Sequence, residues 1–168
     1  MSRKEQIVDV ARQLLEADGP GGVTMRAIAD RLEIRAPSLY KHIADKHELE
    51  VALIARGFAE QAEAFTAAIS NTTEPVAAIA HSYRSWALAN PHLYALMTSN
   101  PLPRNDLPAG LEIAAAAPLV EAVHGNTDRA RALWAFAHGM VSLELAKRFP
   151  PDADLDTAWA TGLRSLAS

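Results

Sequence analysis

The chain has 168 residues, 49% of them apolar, which is enough to bury a sizeable core without staples. It contains no cysteine, which excludes disulfides, thiolate metal sites and cysteine nucleophiles. Its net charge of −4 excludes a uniformly basic surface, so any contact with a polyanion must come from locally clustered cations.

Helical periodicity runs through the whole chain, and no segment alternates convincingly as a strand would. Ile7, Val10, Ala11, Leu14 and Leu15 fall on one face of a first helix. Asp18-Gly19-Pro20-Gly21-Gly22 stops it. Thr24 is an N-cap for a short second helix whose apolar face is Ala27, Ile28 and Leu32. Pro37 suits the first turn of a third helix, opening near Arg35-Ala36 and running to about Ile43. Asp45, with Glu48 three residues on, reads as the capping box of a long fourth helix carrying Leu49, Leu53, Phe58 and Phe65. The segment Asn71 to Pro75 breaks the pattern. A fifth helix is predicted over 76–88, and Asn90-Pro91 separates a short sixth that ends near Met97. Ser99 to Pro108 is the longest loop. Residues 110–123 are Ala-rich and helical, with Pro118 expected to kink or divide them. After Gly125-Asn126, residues 128–148 form a further helix, Pro150-Pro151 ends it, and a last helix covers about 155–166. The expected fold is all-α: an N-terminal three-helix helix-turn-helix domain over 1–46 and a C-terminal helical ligand-binding and dimerisation domain over 47–168.

The start of the chain, Met1-Ser2-Arg3-Lys4-Glu5, has no apolar core of a secretory signal. No apolar run is long enough to span a bilayer. A cytoplasmic protein is expected, and the lack of cysteine suits a reducing compartment.

Residues 24–46 carry the functional signal. They hold two short helices separated by about four residues, the spacing of a helix-turn-helix. Ala29 is small where the helices must approach, Ile34 can plug between them, and Leu39 and Ile43 can face the core. That leaves Ser38, Lys41 and His42 facing outward. A second helix placed in the major groove reads base edges with its N-terminal residues, here Arg35, Ala36, Pro37 and Ser38. Arginine can bond guanine bidentately, while Ala and Pro offer apolar contact to a thymine methyl. Residues 1–50 carry eight Lys/Arg against nine Asp/Glu, so the clusters matter more than the sum. Between Arg35 and Lys46 lie three cations, one acid and one histidine, and Arg3-Lys4 forms a second basic group. Arg26 and Lys41 join the expected DNA-facing set.

On Thr24, Ile28-Ala29, Leu39-Tyr40, His42, Lys46 and Leu49, and on their mutual spacing, the chain resembles the TetR family of transcriptional regulators. The resemblance implies that Tyr40, His42, Lys46 and the helix start at Thr24 touch DNA phosphates. Lys46 opens a helix, and helix N-termini already attract anions. Glu33 departs from the family, which often has glycine in the turn. The glutamate implies a different turn conformation, and its charge is unhelpful near DNA. The structural alternative for Tyr40 is packing on the core, and for His42 and Lys46 a plain surface position.

Trp134-Ala-Phe-Ala-His138-Gly139 resembles the tryptophan, histidine and glycine signature of one group of TetR C-terminal domains. In the family the last two helices pair with their copies in a four-helix bundle. Leu133, Phe136, Ala137, Met140, Val141 and Leu143, with Leu155, Trp159, Leu163 and Leu166 on the last helix, supply more apolar surface than one face needs, which suggests a partner. Together with Glu144 they form the expected dimer interface; burial within one chain is the alternative. The family also implies a small effector held between the fourth and eighth helices. Phe58, Phe65, Tyr83, Trp86, Tyr94, Met97, Trp134 and His138 are the candidate lining, mostly aromatic or soft as ligand pockets tend to be. Ordinary core burial is the alternative for each. Few charges punctuate the region, so a mainly apolar or aromatic effector is expected.

The implied partners are an operator in double-stranded DNA, a small-molecule effector and a second copy of the chain. No enzyme activity, metal or cofactor is expected. Glu121-x-x-His124 occurs once where a di-iron bundle needs two such pairs. No Gly-rich phosphate loop, Gly-x-Ser-x-Gly elbow or His-Glu-x-x-His motif occurs. The competing reading is a helical ligand-binding or interaction protein without DNA binding.

Overall fold

A computed structural model describes residues 1–167. Among these residues every regular element is an α-helix: α1 Arg3–Asp18, α2 Met25–Arg31, α3 Ala36–Leu39, α4 Lys46–Ile69, α5 Pro75–Ala89, α6 Pro91–Thr98, α7 Leu111–Ala122, α8 Thr127–Leu145 and α9 Leu155–Ala167. No helix among them is long and apolar enough to cross a membrane. The all-α expectation holds. The chain forms two compact units. The first comprises residues 1–57 and 90–109, and the second residues 58–89 and 110–168. The division falls inside α4.

In the first unit, α1 starts with a full capping box. Ser2 Oγ accepts from the Glu5 amide at 3.2 Å, and Glu5 accepts in turn from the Ser2 amide. The Ser-x-x-Glu spelling was present in the sequence. Of the predicted apolar face, Ile7, Ala11, Leu14 and Leu15 lie inside with Ile28, Leu39, Ile43 and Leu49, whereas Val10 is half-buried and Val8 is buried in its place. Each buried Ile or Leu contributes about 1.5–3 kcal/mol. At the start of α4, Asp45 Oδ1 accepts from the Glu48 amide at 2.8 Å. The return bond from Glu48 lands on the Ala44 amide at 2.7 Å rather than on that of Asp45, so the expected box is displaced by one residue. Lys4 clamps the same carboxylate at 2.5 Å. In α4, Gly57 lets α6 approach closely, because a Cβ there would overlap the Met97 sulfur.

In the second unit, α8 packs on α5, α7 and α9. Pro118 sits inside an undivided α7. It removes one backbone donor but leaves the helix continuous to Ala122. Arg84 of α5 gathers the unit's polar contacts. Its guanidinium pairs with Glu144 at 2.9 Å and Asp156 at 2.6 Å and lies 5.6 Å over the Trp159 ring. The Trp159 indole N–H donates to Glu144 at 2.7 Å. α9 meets α8 where the Phe136 ring faces Gly162, a position with no room for a Cβ.

Candidate nucleic-acid interface

The interface is built from three local devices. Thr24 takes the extended backbone of an N-cap, and its hydroxyl accepts from the Ala27 amide at 3.1 Å. α2 ends in a Schellman motif: the Ile34 amide donates to Ala29 O at 3.0 Å and the Glu33 amide to Asp30 O at 3.3 Å. Glu33 carries φ 55°. The expectation of a different turn is therefore corrected: glutamate adopts the left-handed conformation that glycine would take without strain. His124 after α7 and Lys147 after α8 do likewise, at φ 56° and 52°. The third device is α3 itself, shorter than predicted. Regular helix stops at Leu39, and a tight turn follows in which Leu39 O accepts from both His42 and Ile43 amides, at 2.8 and 3.0 Å. A bifurcated acceptor of this kind is common where a helix ends.

These devices sort the side chains. Leu39 and Ile43 are fully buried. Arg35, Pro37, Lys41, His42 and Lys46 are exposed, Ala36 and Ser38 half-buried. Tyr40 is 53% exposed, unusual for an aromatic residue with a core beside it. Arg26 is exposed on α2, loosely paired with Asp30 at 3.9 Å, and Lys46 reaches Glu50 at 3.6 Å. Such exposed i,i+4 pairs are worth a few tenths of a kcal/mol, so both cations can exchange partners cheaply.

The other expected sites are distributed differently. Phe65 and Tyr83 stack in the second unit with ring centroids 5.7 Å apart, both buried. Phe58, Trp86 and His138 are half-buried there, and Trp134 is 52% exposed, tilted against His138 at 6.1 Å. Tyr94 and Met97 are buried in the first unit. A cleft of about 460 Å³ in the second unit, lined by Val76, Ala77, His81, Arg84, Trp159 and Leu163 among others, includes none of the eight expected effector residues.

The residues expected at the dimer surface divide between the interior and the outside of the second unit. Leu133, Ala137, Val141 and Trp159 are buried in the chain's own second unit. Glu144 is committed to Arg84 and Trp159, its side chain 7% exposed. Phe136 packs edge-on against Trp159 at 5.4 Å. Met140, Leu155 and Leu163 are half-buried. The outward apolar groups of α8 are Trp134, expected in the effector lining, and Leu143, part of the apolar surface expected to face a partner. An apolar residue on nearly every face of α8 hid the difference, since periodicity distinguishes faces only when one of them is polar.

Residues 7–53 match the family described as bacterial regulatory proteins, tetR family, and residues 76–166 match the tetracyclin repressor-like C-terminal domain. The chain belongs to the TetR family. An HTH-type transcriptional regulator of Saccharopolyspora erythraea is 32% identical over 166 residues, covering 96% of this chain and 69% of that one. The regulator Rv1816 of Mycobacterium tuberculosis is 30% identical over 103 residues, 58% of this chain. That match takes in 44% of Rv1816, so this chain spans under half the length of such curated relatives. A solved TetR variant from Acinetobacter baumannii AYE superposes with a TM-score of 0.69 at 23% identity, over 99% of this chain and 95% of its own. At that identity the likeness carries the fold alone.

Proposed function

We propose that this TetR-family protein is a DNA-binding transcriptional regulator, a repressor released from its operator by a small, mainly apolar or aromatic effector. The observation that carries the reading is the sorting of α3 and the turn after it. Leu39 and Ile43 anchor the segment, so Arg35, Pro37, Tyr40, Lys41 and His42 stand outward on a rigid support. Arg35 and Pro37 would meet base edges in the major groove, with Ala36 and Ser38 beside them. Thr24, Arg26, Tyr40, Lys41, His42 and Lys46 would hold the sugar-phosphate chain. The names of the relatives support this reading.

The protein would act as a homodimer, because two heads match two half-sites about one helical turn or a multiple apart. Trp134 and Leu143, with the small Ala135 and Gly139 on α8, are the surface we assign to the partner. The segment around Trp134, His138 and Gly139 keeps its resemblance to the tryptophan-histidine-glycine group as part of this proposal. For the effector, the stacked Phe65 and Tyr83 with Phe58, Trp86 and His138 favour a flat, weakly charged molecule. The Acinetobacter neighbour was solved in complex with minocycline.

The test is binding to a labelled duplex from upstream of the protein's own gene, measured at several salt concentrations. Affinity should fall steeply with salt, and Lys41→Ala should flatten the slope by roughly one while weakening all sequences alike. Arg35→Ala should relax specificity by about 1–3 kcal/mol at one base pair. A salt-independent interaction, or unaltered binding in both variants, would sink the reading.

A further inference from the structure

α6 is capped from a distance. Its first turn presents the amides of His92 and Leu93, which no helical carbonyl can accept. Glu16 of α1 takes both, Oε1 accepting from Leu93 at 2.8 Å and Oε2 from His92 at 3.3 Å. The residue at the N-cap position is Asn90, among the best natural caps, yet its side chain makes no capping bond. Its Oδ1 accepts from Arg12 instead. Arg12 also holds Glu16 at 3.2 Å, so one α1 guanidinium fixes the distant cap and occupies the local one.

An ordinary helix start would bond Asn90 to the His92 or Leu93 amide and need nothing from α1. Here α1 supplies the cap of α6. α6 is also the segment whose chain ends run into α5 and, through residues 99–110, into α7. We propose that Glu16 is a positioning residue in a two-position cap. With α6 docked, Glu16 caps it and Arg12 restrains Asn90. With α6 displaced, Arg12 releases Asn90, whose carbonyl oxygen accepts the same amides, so the helix survives undocking. Each state is satisfied, which makes the contact bistable rather than merely sticky. Because α1 packs on α2 as well as on α6, the exchange would be transmitted to the DNA-reading segment, a step that rests on the regulator reading above; the cap exchange does not.

The experiment is NMR-detected amide exchange in the free full-length protein, with thermal unfolding alongside. Glu16→Ala should speed exchange at His92 and Leu93 by about tenfold, the scale of one lost charge-assisted bond, with α6 still helical. Glu16→Gln, which keeps one acceptor oxygen, should restore part of the protection. Asn90→Ala alone should change little, and the double variant Glu16→Ala/Asn90→Ala should lose far more protection than the two singles predict. Unchanged exchange at His92 and Leu93 in Glu16→Ala, or simple additivity in the double variant, would overturn the two-position cap. Duplex binding is a separate arm. Glu16→Ala should change affinity severalfold, whereas Lys41→Ala should weaken binding without touching exchange in α6. Loosened α6 with unaltered affinity would overturn the transmission. A wild-type protein that binds no duplex would remove the regulator reading and leave the exchange data to judge the cap.

Discussion

The first and second units weight their charged contacts differently. In the first, most of the carboxylates that fix structure sit at helix starts: Glu5 closes a capping box, Glu48 bonds the Ala44 amide and Glu16 caps α6, beside a lateral pair, Arg56 with Asp9. In the second, apart from the Asp154 cap of α9, they sit on the sides of helices, where Arg84, Glu144, Asp156 and Trp159 tie α5, α8 and α9 into one partly buried network. End-on contacts fix where a short helix begins and leave its outer face free. Sideways contacts fix helices against one another and use up the face. A unit that must present a short exposed segment benefits from the first arrangement, and a unit that must hold a stable frame benefits from the second.

Substitutions can break this contrast, and the largest effect should come from the cores on which both arrangements rest. Leu39→Ala removes a fully buried anchor of the outward segment and should cost about 2–5 kcal/mol in chemical denaturation, with duplex binding lost in parallel. A smaller loss, with binding intact, would mean the segment is not held by its core. Glu144→Ala takes one of two carboxylates from Arg84 and leaves the Trp159 indole N–H without its acceptor, and should cost about 1–3 kcal/mol while duplex affinity per folded molecule stays unchanged. Loss of affinity without loss of stability would reverse the assignment of roles.

Glu33→Gly should act in the other direction. Relieving a left-handed glutamate should stabilise the protein by about 1 kcal/mol, raising Tm by roughly 2–4 °C. Removing its carboxylate should also tighten duplex binding, most visibly at low salt. The smallest effect concerns His47, whose ring nitrogen lies 2.9 Å from Asp106. The hydrogen bond to Asp106 holds the His47 pKa above its ordinary value of 6.5, and the nearby Asp45 and Glu50 act in the same direction. A raised pKa in the folded state means the pair stabilises fully below pH 6.5 and loses its contribution as pH rises through the higher folded value. His47→Ala should flatten that part of the stability profile, and a His47 titration midpoint at or below 6.5 by NMR would refute it.

What could be read from the sequence follows the same division. Thr24, Ile28, Ala29, Ile34, Leu39 and Ile43 act within one turn or one helix pair of each other, so their spacing announced the reading segment. The box at Ser2 and Glu5 is equally local in its spacing, although only the structure brought it out. Glu16 was not, because its partners lie 76 and 77 residues away and a carboxylate at the end of an amphipathic helix looks like a solvated charge. Glu33 misled for a different reason: Schellman geometry imposed a conformation that the residue type disfavours. On α8 the pattern itself was ambiguous. Leu133, Ala137 and Val141 differ from Trp134 and Leu143 by one or two positions, and only the packing of α5, α7 and α9 decides which of them stay outside.

The meeting of Phe136 with Gly162 has an evolutionary corollary. One added methyl group at 162 would drive into the aromatic ring, whereas at Gly139 the same methyl would meet nothing within 4 Å. The two glycines are indistinguishable by composition, yet within one chain alanine is excluded at 162 and accommodated at 139, where only the proposed partner could exclude it. Drift in this sequence is thus funnelled by a single missing carbon, which sets how near α9 can lie to α8 and how far either can diverge alone.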